Sequence, residues 1–98
     1  MIIVTLLRIQ HPVVDFARWK AAFDSDPADR RGSGVRRYTV RRLATDPNFV
    51  MVDLEFDSVR EAELMLGRMH RIWAAHGGIL LSDAEAWIVE DVESVDLS

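Results

Sequence analysis

Ninety-eight residues, 49% of them hydrophobic and 29% charged, fit one globular domain over 1–98 and exclude a disordered, fibrous or multidomain chain. Cysteine is absent, which removes disulfides, thiolate catalysis, iron–sulfur clusters and thiolate zinc sites together. A net charge of -4 has the wrong sign for a general nucleic-acid binder, so no nucleic-acid partner is expected.

Residues 2–9 are rich in Ile, Val, Leu and Thr on both faces, as suits a strand covered on both sides. Arg8 interrupts this run long before the roughly 18 apolar residues of a membrane span, and no basic leader precedes it. A cytoplasmic chain with no membrane partner is the expectation. His11-Pro12 should end the strand, because proline cannot donate to a ladder. Asp15 can cap a helix in which Phe16, Trp19 and Phe23 share one face, ending near Asp24. Asp26 to Gly34 holds proline, glycine and several charges, and reads as an exposed, mobile loop.

Two strands follow, Val35 to Leu43 and Phe49 to Phe56, joined by the turn formers Ala44-Thr45-Asp46-Pro47-Asn48. Their register follows from pairing. With Val40 opposite Val52, Tyr38 meets Leu54, Arg37 meets Glu55, Thr39 meets Asp53 and Arg41 meets Met51. A slip of one residue would oppose Val40 to Asp53 and Tyr38 to Glu55. The hairpin therefore has an apolar face (Tyr38, Val40, Val50, Val52, Leu54, Phe56) and a polar one (Arg37, Thr39, Arg41, Asp53, Glu55).

Ser58-Val59-Arg60-Glu61 is a capping box, in which the serine hydroxyl and the glutamate satisfy each other's backbone donors. Ala62, Met65, Leu66, Met69, Ile72, Trp73 and His76 then keep helical spacing, so a second helix runs to about His76 and stops at Gly77. Ile79 to Leu81 suits a short extra strand or a packed connector, and Ala84 to Val92 a closing strand before an acidic tail.

The order β-α-β-β-α-β in one antiparallel sheet gives an α+β, ferredoxin-like fold with both helices on one face. A chain this small buries only about 60–65% of its unfolded surface, so covering the other sheet face with a second copy is a large gain. A homodimer is expected, its two sheets closing a dimeric α+β barrel with a polar-lined interior.

On Val14-Asp15 with Phe16, Trp19-Lys20, Phe23-Asp24, Asp46-Pro47-Asn48 and Glu55-Phe56-Asp57-Ser58, the sequence resembles the antibiotic biosynthesis monooxygenase-like family of the dimeric α+β barrel superfamily. The resemblance covers nearly the whole chain. It implies a homodimer with a pocket between sheet and helices of each protomer. Members include cofactor-free oxygenases of aromatic or quinol substrates, haem-degrading enzymes, polyketide cyclases and proteins without known activity. Haem-degrading relatives carry a Trp and a His on the second helix and an Asn on the first strand. Here Trp73 and His76 are only three apart and the first strand has no asparagine, so no cofactor is expected.

His76, one turn beyond Trp73, could serve as a general base, or could cap the helix C-terminus. His70 falls at the edge of the same stripe. The two histidines are six apart, which is wrong for one metal on one helix face, and no metal site is expected. Arg37 and Arg41 could grip an anionic or enolate-bearing ligand, or simply pair with acids. Tyr38 could donate to a carbonyl or phenolate. Trp73 could line an aromatic pocket, and Trp87 could line one or fill the dimer interface. Two readings stand: a dimeric binder of an aromatic or quinone-like small molecule, acting as a cofactor-independent monooxygenase or polyketide cyclase with His76 or His70 as base; and a non-catalytic ligand-binding or structural dimer.

Overall fold

The computed structural model describes residues 3–75 and 84–98. Its elements are β1 Val4–Pro12, α1 Phe16–Asp24, β2 Arg37–Leu43, β3 Asp46–Phe56, α2 Val59–Ala75 and β4 Glu85–Asp91. Among the described residues, four strands make one antiparallel sheet in the order β2-β3-β1-β4, which is the ferredoxin-like arrangement. No helix among these residues is long and apolar enough to cross a membrane. His76 and the 79–81 segment lie outside the described residues.

Strand alternation decides which side carries the helices. Leu7 and Ile9 of β1 and Val52, Leu54 and Phe56 of β3 point one way, and none is more than 3% exposed. Ala62 and Met65 of α2 close over them, with Trp19 and Phe23 of α1 and Met69, Ile72 and Trp73 of α2 packed around. The hairpin register is the one that pairing predicts, with Val40 opposite Val52 and Arg37 opposite Glu55.

Two strand ends differ from the sequence reading. β1 continues through His11 and Pro12, which pair with Val50 and Phe49 of β3. The ladder with β4 stops at Gln10 and Glu85, so the missing proline donor faces no strand on that side. β3 begins at Asp46 rather than Phe49, because the turn is only Ala44-Thr45 and an irregularity between Arg42 and Leu43 absorbs the mismatch.

Capping fixes both helices. The Asp15 carboxylate accepts from the Ala17 amide at 3.0 Å, and the Asn48 side chain, reaching over from the hairpin, accepts from the Phe16 amide at 3.0 Å. At α2 the Ser58 hydroxyl accepts from the Glu61 amide at 3.2 Å. The Glu61 carboxylate accepts a hydrogen bond from the Ser58 hydroxyl, also at 3.2 Å, so both contacts converge on the serine oxygen rather than on the serine amide.

Candidate functional site

Between the sheet and the two helices lies a cavity of about 220 Å³, half open to solvent. Its floor is Ile9, Val52 and Leu54 of the sheet. Its walls are Trp19, Ala22 and Phe23 of α1 facing Met65, Met69, Ile72 and Trp73 of α2, and its rim is Pro27, Ala28 and Arg30. The cavity opens beside α1, which spans only Phe16–Asp24 and packs toward the sheet largely through aromatic rings. Trp19 stacks on Phe23 with centroids 5.2 Å apart, and Phe16 tilts against Trp19 at 5.9 Å. Aromatic and thioether side chains in this ratio suit a flat apolar ligand.

The rim comes from a loop that turns Ala28 and Arg30 inward, where its composition suggests exposure throughout. Ala28 is 6% exposed and belongs to the core. Asp26 and Asp29 take left-handed backbone, at φ 58° and 50°, which aspartate tolerates better than most residues. The Asp26 carboxylate accepts from the Arg30 amide at 2.9 Å. Arg68 of α2 donates to the Ala28 carbonyl at 3.0 Å and to the Ser33 hydroxyl. The loop leaves through Gly34 at φ 97°, a left-handed backbone that favours glycine, with the Glu61 carboxylate close beside it.

Loop geometry turns Arg30 inward, with its side chain only 14% exposed. Its guanidinium lies 4.0 Å over the Phe23 ring and 4.8 Å over the Tyr38 ring, and Nη1 donates to the Phe23 carbonyl at 2.7 Å. Among the described residues it is the one charged group lining the cavity.

The opposite sheet face is polar and organised by Asp53, 7% exposed. Arg8 donates to both carboxylate oxygens, at 2.8 and 3.0 Å, and Arg41 donates to one at 3.0 Å. The hydrogen bond from Arg8 is the main force holding the Asp53 carboxyl below its ordinary range; burial opposes it, and the charges of Arg8 and then Arg41 add to the lowering. Arg37 stands 3.6 Å from Glu55 in a looser pair.

The sequence-predicted residues do not converge on one place. Trp73 lines the cavity. Tyr38 stands at the edge of the helix-side face, its ring 5.3 Å from Phe23 and 44% exposed. His70 is exposed on α2 beside Trp73, ring centroids 5.5 Å apart, and is absent from the cavity lining. Arg37 and Arg41 lie on the far face of the sheet, as does Trp87, 43% exposed and opposite Arg8. His11 is 3% exposed under Trp19, its ring edge-on at 6.0 Å, and Nδ1–H donates to the Pro12 carbonyl at 3.0 Å. Burial lowers its pKa, and that carbonyl partly restores it. Among the described residues no group of three or more histidine and carboxylate side chains gathers to hold a metal.

Arg30 and Arg8 were not singled out by sequence reasoning. A loop has no periodicity to say which way Arg30 points. Arg8 carried a signal in its polar position within an apolar strand, two residues on from outward-facing Leu6.

No family model and no curated protein matches the sequence. Solved structures do match in fold. A protein assigned as an antibiotic biosynthesis monooxygenase from Nitrosomonas europaea is 11% identical with a TM-score of 0.69, covering 91% of this chain and 90% of its own. A variant of SnoaB, a cofactor-independent oxygenase from Streptomyces nogalater, is 14% identical with a TM-score of 0.70, covering 97% and 98%. A dimeric ferredoxin-like protein from an uncultured marine organism is 8% identical with a TM-score of 0.63, covering 97% and 93%. The chain has the ferredoxin-like fold of the antibiotic biosynthesis monooxygenase-like proteins, over more than nine-tenths of its length in the 91% and 97% matches and at low identity.

Proposed function

We propose that this chain is a homodimeric small-molecule-binding protein whose cavity beneath the helices takes a planar aromatic or quinone-like compound. The observation that carries this reading is the cavity itself: an opening between Trp19, Phe23 and Trp73 above an apolar floor, with one cation at the rim. At about 220 Å³ it falls below the roughly 300 Å³ at which drug-sized pockets begin, so a fused bicyclic or tricyclic ring system is the fitting size. The fold it shares with SnoaB supports oxygenation without a cofactor as the catalytic form of the reading. Polyketide cyclisation on the same kind of ligand is its close relative.

For an anthrone-type substrate the balance is simple: one ring CH₂ and O₂ become a ring carbonyl and water. The protein's share is to take a ring proton and to hold the resulting oxyanion. His70 beside Trp73, or His76 beyond it, supplies the base in this reading, with Tyr38 at the cavity's outer edge as a donor. The dimer forms through the far sheet face, where Trp87 and Val89 of β4 flank the Arg8–Asp53–Arg41 cluster, and Arg37, Arg41 and Trp87 belong to that interface.

A second reading, binding without turnover, draws on one observation: no histidine lines the cavity among the described residues. Incubation with anthrone under oxygen, with calorimetry on anthraquinone in parallel, separates the two. Saturable binding with quinone formation that His76→Ala or His70→Ala abolishes supports the oxygenase. Binding without turnover selects the second reading, and no saturable binding rejects both.

A further inference from the structure

The geometry points to Arg30 as a charge-selecting residue: the cavity's preferred ligand is a planar aromatic that carries a negative charge at its edge, as a carboxylate, phenolate or enolate. This rests on the reading that the cavity binds a planar aromatic, and adds which of them it takes. Among the described residues the cavity wall is otherwise apolar, so charge discrimination there falls to this one guanidinium.

Three features make Arg30 available for the task. Its side chain is largely withdrawn from water, at 14% exposure, so its field toward a bound group is weakly screened. It is held in place before any ligand arrives, by stacking on Phe23 and Tyr38 and by the 2.7 Å bond from Nη1 to the Phe23 carbonyl. The nearby acid holds only one edge of it: Asp26 pairs with Nε at 3.4 Å through an oxygen that also accepts from the Arg30 amide at 2.9 Å, which leaves the Nη groups as the donors for a ligand. A guanidinium has five donors, and one hydrogen bond to Phe23 leaves several for an oxyanion.

Arg30 also ties the loop to the last turn of α1, so a variant there can loosen the cavity as a whole. The informative quantity is therefore a ratio of affinities for two ligands of one shape, which general loosening leaves unchanged. 2-Naphthoate and 2-naphthalenemethanol differ in charge and share the ring system. Titration of the purified protein with each should show naphthoate about tenfold or more tighter, as a charge-assisted hydrogen bond supplies. Arg30→Met, which keeps an apolar side chain of similar reach, should bring the ratio close to one while the alcohol still binds. Equal affinities in the wild type overturn the inference without any variant, as does an unchanged preference in Arg30→Met. If neither compound binds saturably, the cavity reading itself fails; if the alcohol binds and naphthoate gains nothing, only the assignment to Arg30 fails.

Discussion

Asp53 and His11 are titratable side chains withdrawn from water, and burial acts on them with different results. Two guanidiniums meet the Asp53 carboxylate, so the fold holds it ionised, and this stabilisation is fully present above the ordinary carboxylate pKa of 3.8. Arg8 and Arg41 are themselves about half exposed, which limits the gain. Asp53→Asn should cost about 1–2 kcal/mol in urea unfolding at neutral pH. The gap to wild type should narrow as pH falls below about 4, where the unfolded carboxyl takes up its proton first. For His11 the imidazolium is the disfavoured form, because burial under Trp19 outweighs the Pro12 carbonyl. Its folded pKa lies below the unfolded one, so stability holds above about pH 6.5 and falls as pH drops from there toward the folded value. Unfolding free energies from pH 7.5 to 5 should decline in wild type and stay flatter in His11→Leu. A parallel decline in both would remove His11 as the cause.

At the scale of elements, the structure rests on local signals with identifiable partners. The Ser58–Glu61 pair starts α2, and Ser58→Ala should cost about 1 kcal/mol in thermal or denaturant unfolding. Such signals are what made the fold legible from sequence. The capping box, the i, i+3, i+7 aromatics of α1 and the alternation of sign along the hairpin each specify an element and its orientation. The hairpin register was readable because a slip of one residue opposes Val40 to Asp53 and Tyr38 to Glu55. The loop before β2 was not readable in the same way. Its charges and glycines say exposure, while the fold uses Asp26 and Asp29 in left-handed backbone to press Ala28 into the core and swing Arg30 over two rings. Composition reports solubility, and here the tertiary anchor from Arg68, forty residues away, decided the outcome.

Across the whole molecule, the sheet separates two surfaces with different chemistry. The helix side holds an apolar cavity with a cation at its rim; the far side holds a charge cluster flanked by exposed Trp87. The sequence-predicted ligand residues divided between these surfaces because a strand's alternation is plain in a sequence, whereas the space left between a short helix and a sheet is not. Arg37 and Arg41 are engaged with Glu55 and Asp53 in their own chain, so the far face has little net charge to offer a partner and its apolar residues carry the proposed association. Trp87→Lys should then raise the dimer dissociation constant about tenfold or more in sedimentation equilibrium, as loss of a buried interface aromatic does; a wild type that sediments as a monomer at high micromolar concentration would refute the dimer.

The central claim is that a flat aromatic ligand enters on the helix side, and the three tryptophans report on it directly. Trp19 and Trp73 line the cavity while Trp87 faces away, and with no cysteine to alkylate, 1,4-naphthoquinone can serve as a contact quencher of their fluorescence. Titrated with it, Trp87→Phe should show saturable quenching, and the double variant Trp19→Phe with Trp73→Phe should show only the linear, collisional kind. Saturation that follows Trp87, or none in either protein, would contradict the account.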